Sequence, residues 1–391
     1  MSLFNVVPVS VDDYERRARR KLPRFLYDYA AGGANSEETL AANRSDFSRV
    51  TLRQRVMFDV SESNIATTLL GQPASMPIAL APVGMAGMYA RRGEVQAAKA
   101  AETVGIPFTS STMGVCSIEE INANTAIPAW FQLYMLRDRG VVQEILKRAW
   151  DSGTRTLVFT VDLAIPGLRL RDFRNGMIGG GTLGKLSQLA QLATSPAWAY
   201  DVGIRGKPHQ LGNLSGRVKD AKNLDSYREF VESQFDPSVT WDDIRWLRDQ
   251  WRGKLLIKGV LDAEDARAAI ECGAEGVVVS NHGGRQLDGV SSGIRKLAEV
   301  VDALSADVET YIDGGVRSGI DVLRAVALGA RGVLMGRPWL YALAVHGEDG
   351  VRNLLRVFER EITIALALTG AKRLEDLDRE AIDVIGDRAG H

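Results

Sequence analysis

The chain has 391 residues, 45% of them hydrophobic, and a formal net charge of −1. That size and apolar content suit one large buried core, and the near-neutral balance excludes the electrostatic footprint of a nucleic-acid binder. Cys116 and Cys272 are the only cysteines and have neither metal nor disulfide spacing, which fits a reducing cytoplasm.

No signal peptide is expected, since Phe4 to Val9 is too short for an apolar core and charges begin at Asp12. Val11 to Ala30 reads as a helical region broken near Pro23 and ending around Gly32 and Gly33. Thr51 to Leu70 reads as short strands and turns. The run from Ser63 to Ala90 carries no charge, but its prolines and glycines argue for a turn and a buried strand rather than a membrane helix.

From Met76 a rhythm begins. Apolar runs at Pro77–Ala81, Pro107–Ser111, Ala129–Tyr134, Thr156–Val161, Leu255–Gly259, Gly276–Ser280, Thr310–Ile312 and Gly332–Met335 read as buried strands. Helical patterns follow them at Gly93–Val104, Ser117–Asn122, Arg139–Asp151, Trp241–Gln250, Asp262–Cys272, Gly293–Leu304, Gly319–Leu328 and Tyr341–Gly347. Asp262 and Ser318 sit where a side chain can cap a helix start, and Gly105, Gly153, Gly273 and Gly329 sit where helices end. Alternating strands and helices imply a parallel sheet, and eight units imply closure into an α/β (β/α)8 TIM barrel. An open doubly wound sheet is the alternative. The organisation expected is one domain over 1–391, with the barrel at about 76–347 and a long insertion after strand four at about 167–240. Gly350 to His391 reads as an amphipathic helix and a charged tail.

In such a barrel the loops after the strands form the active site. The first strand is followed by Pro82, Val83 and Gly84. The second ends in Ser110, Ser111 and Thr112, the third in Gln132 and Tyr134, and the fourth in Thr160 and Asp162. The fifth ends in Lys258 and the sixth in Ser280, Asn281 and His282, with Arg285 just beyond. The seventh ends Asp313-Gly314-Gly315-Val316-Arg317 and the eighth Gly336-Arg337. An imidazole can take a proton near neutral pH, and a guanidinium three residues later can grip a carboxylate with two hydrogen bonds. A capped strand end with a structural histidine is the plain alternative. The glycines and arginines after strands seven and eight suit a phosphate group, although tight turns with solvated arginines would look the same. Gly179 to Gly184 mimics a dinucleotide loop but follows no strand. Gly289-Val290-Ser291-Ser292-Gly293 mimics a hydrolase elbow, yet Ser291 or Ser292 better suits a helix cap.

The stretch Ser280-Asn-His282-Gly-Gly-Arg285-Gln-Leu-Asp288 resembles the signature of the FMN-dependent L-2-hydroxy acid oxidoreductases. The likeness runs from Leu22-Pro23 and Tyr27-Asp-Tyr29 to about Leu374. Ala81-Pro-Val-Gly-Met-Ala-Gly-Met-Tyr-Ala-Arg-Arg-Gly-Glu94 and Trp130-Phe-Gln-Leu-Tyr134 resemble most the bacterial respiratory branch that oxidises L-lactate. The resemblance implies FMN as cofactor and His282 as the catalytic base, with Asp162 steadying its imidazolium. It implies Arg285 and Arg169 on the substrate carboxylate, assisted by Tyr29, and Tyr134 on the substrate oxygen. Lys258 would lie beside flavin N1 and O2. Ser111, Gln132, Thr160, Ser280 and backbone at Val83 and Gly84 would hold the ring and ribityl chain. Asp313 would meet the ribityl chain, and Gly314, Gly315, Arg317, Gly336 and Arg337 the phosphate. A lysine there is favourable because a unit charge pair at ~4 Å gains about 4 kcal/mol at an effective dielectric of about 20.

The likeness is not uniform. Met113 stands where glycolate oxidase has Trp, and Tyr29-Ala30 where it has two tyrosines. Gly84 replaces the Ala common in oxygen-using relatives, favouring a dehydrogenase. No haem domain stands before the barrel in this sequence. The expected activity is therefore oxidation of L-lactate to pyruvate with electrons passed to an outside acceptor, a membrane quinone. Oxygen as acceptor, or a non-redox phosphate-binding isomerase, are the alternatives. The resemblance further implies a homo-oligomer, a tetramer. The insertion adds a membrane expectation. Leu186, Leu189 and Leu192 recur at helical spacing, Trp198 and Tyr200 suit an interface, and Lys185, Arg205, Lys207, Arg217, Lys219 and Lys222 outnumber Asp201 and Asp220. The expected place is peripheral, at the cytoplasmic face of the inner membrane. A lid over the active site is the other reading of the insertion.

Overall fold

The computed structural model describes residues 7–178, 181–207, 209–215 and 233–384. Eight strands, β1 (Ile78–Leu80), β2 (Thr109–Ser111), β3 (Trp130–Leu133), β4 (Thr156–Thr160), β5 (Lys254–Val260), β6 (Gly276–Val279), β7 (Glu309–Asp313) and β8 (Gly332–Met335), form one sheet. Neighbours pair in parallel in the order β1-β8-β7-β6-β5-β4-β3-β2, and a bridge between Leu80 and Phe108 joins the two ends into a barrel.

Side chains alternate across a strand, so every second residue points inward. Trp130, Val158, Leu256, Val278, Tyr311 and Leu334 form one buried apolar cluster with Ala79 and Ala81. Two residues further along the same strands stand Gln132, Thr160, Lys258, Ser280, Asp313 and Gly336. The strand period therefore stacks a polar ring directly on an apolar plug. The opposite end is stopped by a hairpin, Thr67–Leu69 against Gln72–Ala74, whose Leu69 and Ala74 belong to the same cluster. The polar tips of the plug are satisfied, with the Trp130 indole donating to Gln72 at 2.8 Å and the Tyr311 hydroxyl donating to Glu309.

The eight helical patterns are helices. Asp262 and Ser318 cap theirs, each side chain accepting a backbone N–H. Four expectations change. Ser292 stands at a helix start but makes no capping bond; its hydroxyl donates to the buried Asp46 at 2.7 Å. The last helix begins at Arg337, where Pro338 suits a first turn, and breaks at His346 and Gly347 before continuing to Leu368. The charged tail also contains a strand, Ile382–Val384, antiparallel to Val50–Leu52. Trp198 is not an interfacial residue. It is 5% exposed, its indole donates to the Met88 carbonyl at 2.7 Å, and its ring meets Phe25 edge-on, so it anchors the insertion to the body.

Candidate functional site

At the carboxyl ends of the strands lies one cavity of about 870 Å3. His282, Arg285, Lys258, Tyr29, Tyr134 and Arg169 all line it, as do Asp313, Arg317 and Arg337. Asp162, Gln132 and Ser280 stand one step behind that wall.

His282 has φ 58°, followed by Gly283 at 64° and Gly284 at 74°. A left-handed conformation costs a non-glycine residue roughly 1–2 kcal/mol. Local bonds offset this. The His282 backbone N–H donates to the Ser280 hydroxyl at 3.0 Å, and the Gly284 N–H donates to the Asn281 side chain at 3.0 Å. The turn aims the imidazole so that Nδ1 lies 2.7 Å from Asp162 Oδ1. Burial pushes the Asp162 carboxyl up, but His282 and Lys258 together hold it below its ordinary value. An ionised carboxylate only accepts, so Nδ1 carries the proton and Nε2 is left to receive one. Close approach of Asp162 requires a glycine opposite. A Cβ on Gly259, whose φ is 109°, would lie 2.6 Å from the Asp162 carboxyl carbon.

Lys258 is 4% exposed, and its ammonium lies 3.0 Å from both Asp313 and Ser280. Burial opposes its charge, yet Asp313 and Asp162 outweigh burial and raise its pKa. It is a fixed cation at the cavity floor. Gln132 ties the polar ring together by accepting from Ser111 at 3.2 Å and donating to Thr160 at 3.1 Å.

The cations are crowded. Arg169 and Arg285 lie over the Tyr29 ring, at 5.4 and 4.9 Å from its centroid. Arg285 donates to the carbonyls of Tyr29 and Gly32, while Asp172 holds Arg169 at 2.9 Å. Burial, reinforced by Arg169, lowers the pKa of Arg285. Burial and the nearby Arg285 bring Arg337 down to about 10. Arg337 spends three of its donors on the carbonyls of Ala30, Gly283 and Gly32. Arg317 Nε is buried without a protein partner. Buried cations that depress one another mark a site that takes anions. Tyr134 is pushed well above its ordinary pKa by burial and then by Asp162, so its hydroxyl keeps its proton and can donate.

Several supports are invisible as motifs. Asn43 and Asn281 exchange amide bonds at 2.7 and 2.8 Å, clamping the His282 turn to the helix Glu38–Ser45. Gln286 donates to the Asp162 and Ile165 carbonyls, tying the start of the insertion to the same turn. Phe235, near the end of the insertion, packs edge-on against Tyr134 at 5.3 Å. Asn213 donates to the Ser111 carbonyl at 2.9 Å from the insertion side. Polar residues at turns gave no signal for these pairings, which span up to 238 positions.

The chain is similar to known proteins along nearly its whole length. The family model for FMN-dependent dehydrogenase matches residues 18–384. An L-lactate dehydrogenase of Pseudomonas putida (strain GB-1) is 52% identical over 370 residues, 95% of this chain and 97% of that one. One from Caulobacter vibrioides (strain NA1000 / CB15N) is 51% identical over 381 residues, 97% and 99% of the two chains. The solved structure of a monotopic membrane protein, (S)-mandelate dehydrogenase, superposes with a TM-score of 0.91 at 36% identity, covering 96% of this chain and 99% of that one. A mandelate oxidase structure gives 0.83 at 37% identity, covering 96% and 98%.

The residues present fit FMN. Gly314 and Gly315, with φ 81° and 91°, turn backbone toward the cavity beside Arg317 and Arg337, an anion-binding concavity for a phosphate. Asp313 Oδ1 is buried and without a protein partner, as an acceptor for ribityl hydroxyls would be. Val83, Gly84, Ser111 and Thr160 line the cavity from β1, β2 and β4.

Proposed function

Because the chain belongs to the FMN-dependent dehydrogenase family, we propose that it oxidises L-lactate to pyruvate and passes the electrons to a membrane quinone. The observation that carries this reading is His282, held 2.7 Å from Asp162 behind the wall and sharing one cavity with Arg285 and Arg169. The names of its relatives support the choice of lactate.

FMN would be held by Val83, Gly84, Ser111, Gln132, Thr160, Lys258, Ser280 and Asp313, with its phosphate on Gly314, Gly315, Arg317, Gly336 and Arg337. When bound, it supplies a two-electron acceptor for the substrate carbon. Arg285 and Arg169 bind the substrate carboxylate and fix its orientation, and Tyr29 completes that end of the pocket. Tyr134 donates to the substrate oxygen. His282 takes a proton at Nε2, and Asp162 stabilises the resulting cation. Lys258 places positive charge where negative charge develops as electrons arrive. Met113 lines the same cavity.

Peripheral membrane attachment is supported by the insertion. Helix Gly181–Ala193 exposes Leu183, Leu186 and Leu189 at 79%, 57% and 62%, and Tyr200 and Ile204 are exposed nearby at 60% and 64%. No helix among the described residues is long and apolar enough to cross a membrane. Leu192 faces the core instead. The basic positions Arg217, Lys219 and Lys222 lie outside the described residues. Self-association into a tetramer would have the exposed Val56, Met57 and Phe58 available as contact surface.

The test is steady-state oxidation with a two-electron dye. L-lactate should give one pyruvate per dye reduced and far exceed D-lactate. Equal rates with L-mandelate would shift the substrate assignment to aromatic hydroxy acids, and slow reoxidation in air would support a quinone over oxygen.

A further inference from the structure

The cavity does not end at the barrel. It is also lined by Phe25, Met88, Met177, Ile178 and Leu211, which lie outside the barrel strands and form its vestibule. Lys185, Gln188 and His209 line the same space. None of these eight residues has work to do in binding a three-carbon acid or in taking its proton.

Helix Gly181–Ala193 explains the arrangement. Gly181, Lys185 and Gln188 follow one another at spacings of four and three, which sets them on one face of an α-helix. All three line the cavity. Leu183, Leu186 and Leu189 occupy a different face and are exposed. One helix thus presents exposed leucines on one side and, through the exposed Lys185 and the half-buried Gln188, part of the cavity's rim on another. Trp198, buried against Phe25 and the Met88 carbonyl, holds the following segment of the insertion on the same vestibule.

We propose that this vestibule is the binding site for the electron acceptor, a quinone that enters from the bilayer past the leucine face. The inference rests on the hydroxy acid dehydrogenase reading and adds a location and residues to it. The chemistry matches the walls. A quinone ring is flat and apolar, with oxygens that accept hydrogen bonds. Lys185 supplies an ammonium donor to one such oxygen. Gln188 donates its amide to the Gly176 carbonyl and so shapes the wall rather than binding. His209 Nε2 lies 2.8 Å from the Val202 carbonyl, which only accepts. The Nε2 proton is thereby fixed, leaving Nδ1 to accept from a quinol hydroxyl. The reaction balances. Oxidation of the hydroxy acid to the keto acid releases two electrons and two protons, and reduction of the quinone to the quinol consumes both.

The experiment uses the flavin-loaded full chain and a short-tailed ubiquinone, with Lys185→Ala and Met177→Trp as variants. Binding of the oxidised quinone is followed by quenching of intrinsic tryptophan fluorescence, without lactate present; turnover is measured separately with quinone and with the dye. The expected result for Lys185→Ala is a quinone Kd and KM raised about tenfold, the scale of one lost charge-assisted hydrogen bond. Met177→Trp, which fills the vestibule, should weaken quinone binding without moving the KM for L-lactate by more than about twofold. Quinone binding unchanged in both variants would overturn the assignment, as would a wild-type protein that binds no quinone. Failure of L-lactate to reduce the flavin would instead overturn the oxidation reading, and the fluorescence titration would still decide the vestibule.

Discussion

At the scale of single residues, the site depends on geometry more than on charge. Arg285 reaches two carbonyls and stacks on Tyr29 while facing the cavity. Lysine would keep the charge but lose the planar fork and the stacking. Arg285→Lys is therefore expected to raise the KM for L-lactate and lower kcat, because a misaligned carboxylate misplaces the reacting carbon. Unchanged steady-state kinetics would remove Arg285 from the substrate site. His282→Gln is expected to retain flavin and bind lactate yet lose turnover by ~10²–10⁴-fold, the usual worth of a general base. A near-normal rate of flavin reduction in that variant, measured by stopped flow, would refute the base assignment.

At the scale of elements, the His282 turn is held from outside the barrel. Asn43 and Asn281 are buried, and each satisfies the other. Truncating Asn43 removes both of these buried hydrogen bonds, each worth about 0.5–1.5 kcal/mol net, while Asn281 keeps its bonds to the Ser291 carbonyl and the Gly284 N–H. Asn43→Ala should thus lower thermal stability and loosen flavin, both measurable by a thermal shift assay with and without added FMN. Full stability in the variant would show that the clamp contributes nothing. This contact also marks the limit of reading by sequence. The eight strands were legible because apolar runs ending in glycine and polar residues are local patterns, and the ring of Gln132, Thr160, Lys258, Ser280 and Asp313 follows from period two. The Arg285 clamp and the phosphate glycines were legible from residue chemistry at the strand ends, whereas the roles of Tyr29, Tyr134 and Arg169 came from family resemblance. The partners Asn43, Gln286, Asn213 and Phe235 were not legible, because each acts through a contact between distant segments and leaves no periodicity. Trp198 misled for the same reason. An uncharged stretch with an indole looks interfacial until Phe25 and the Met88 carbonyl are found beside it.

At the scale of the whole molecule, the barrel and the insertion divide the work. The barrel's carboxyl face carries the proton-taking and anion-binding groups, and the insertion covers that face while turning leucines outward. Replacing Leu183, Leu186 and Leu189 together by serine should release the protein from anionic vesicles in a flotation assay. Each buried leucine contributes about 1.5–3 kcal/mol, so three are decisive for a peripheral anchor. Reduction of flavin by lactate should persist in that variant. Persistent flotation would place the anchor elsewhere on the chain.

Oxidation of L-lactate at the His282 constellation makes FMN the immediate electron acceptor. The most direct measurement is an anaerobic titration of the purified yellow protein, followed by flavin absorbance. Stoichiometric L-lactate should bleach the flavin with formation of one equivalent of pyruvate, whereas D-lactate should leave it oxidised. A flavin that stays yellow with L-lactate, or a purified protein that takes up no FMN at all, would contradict the account.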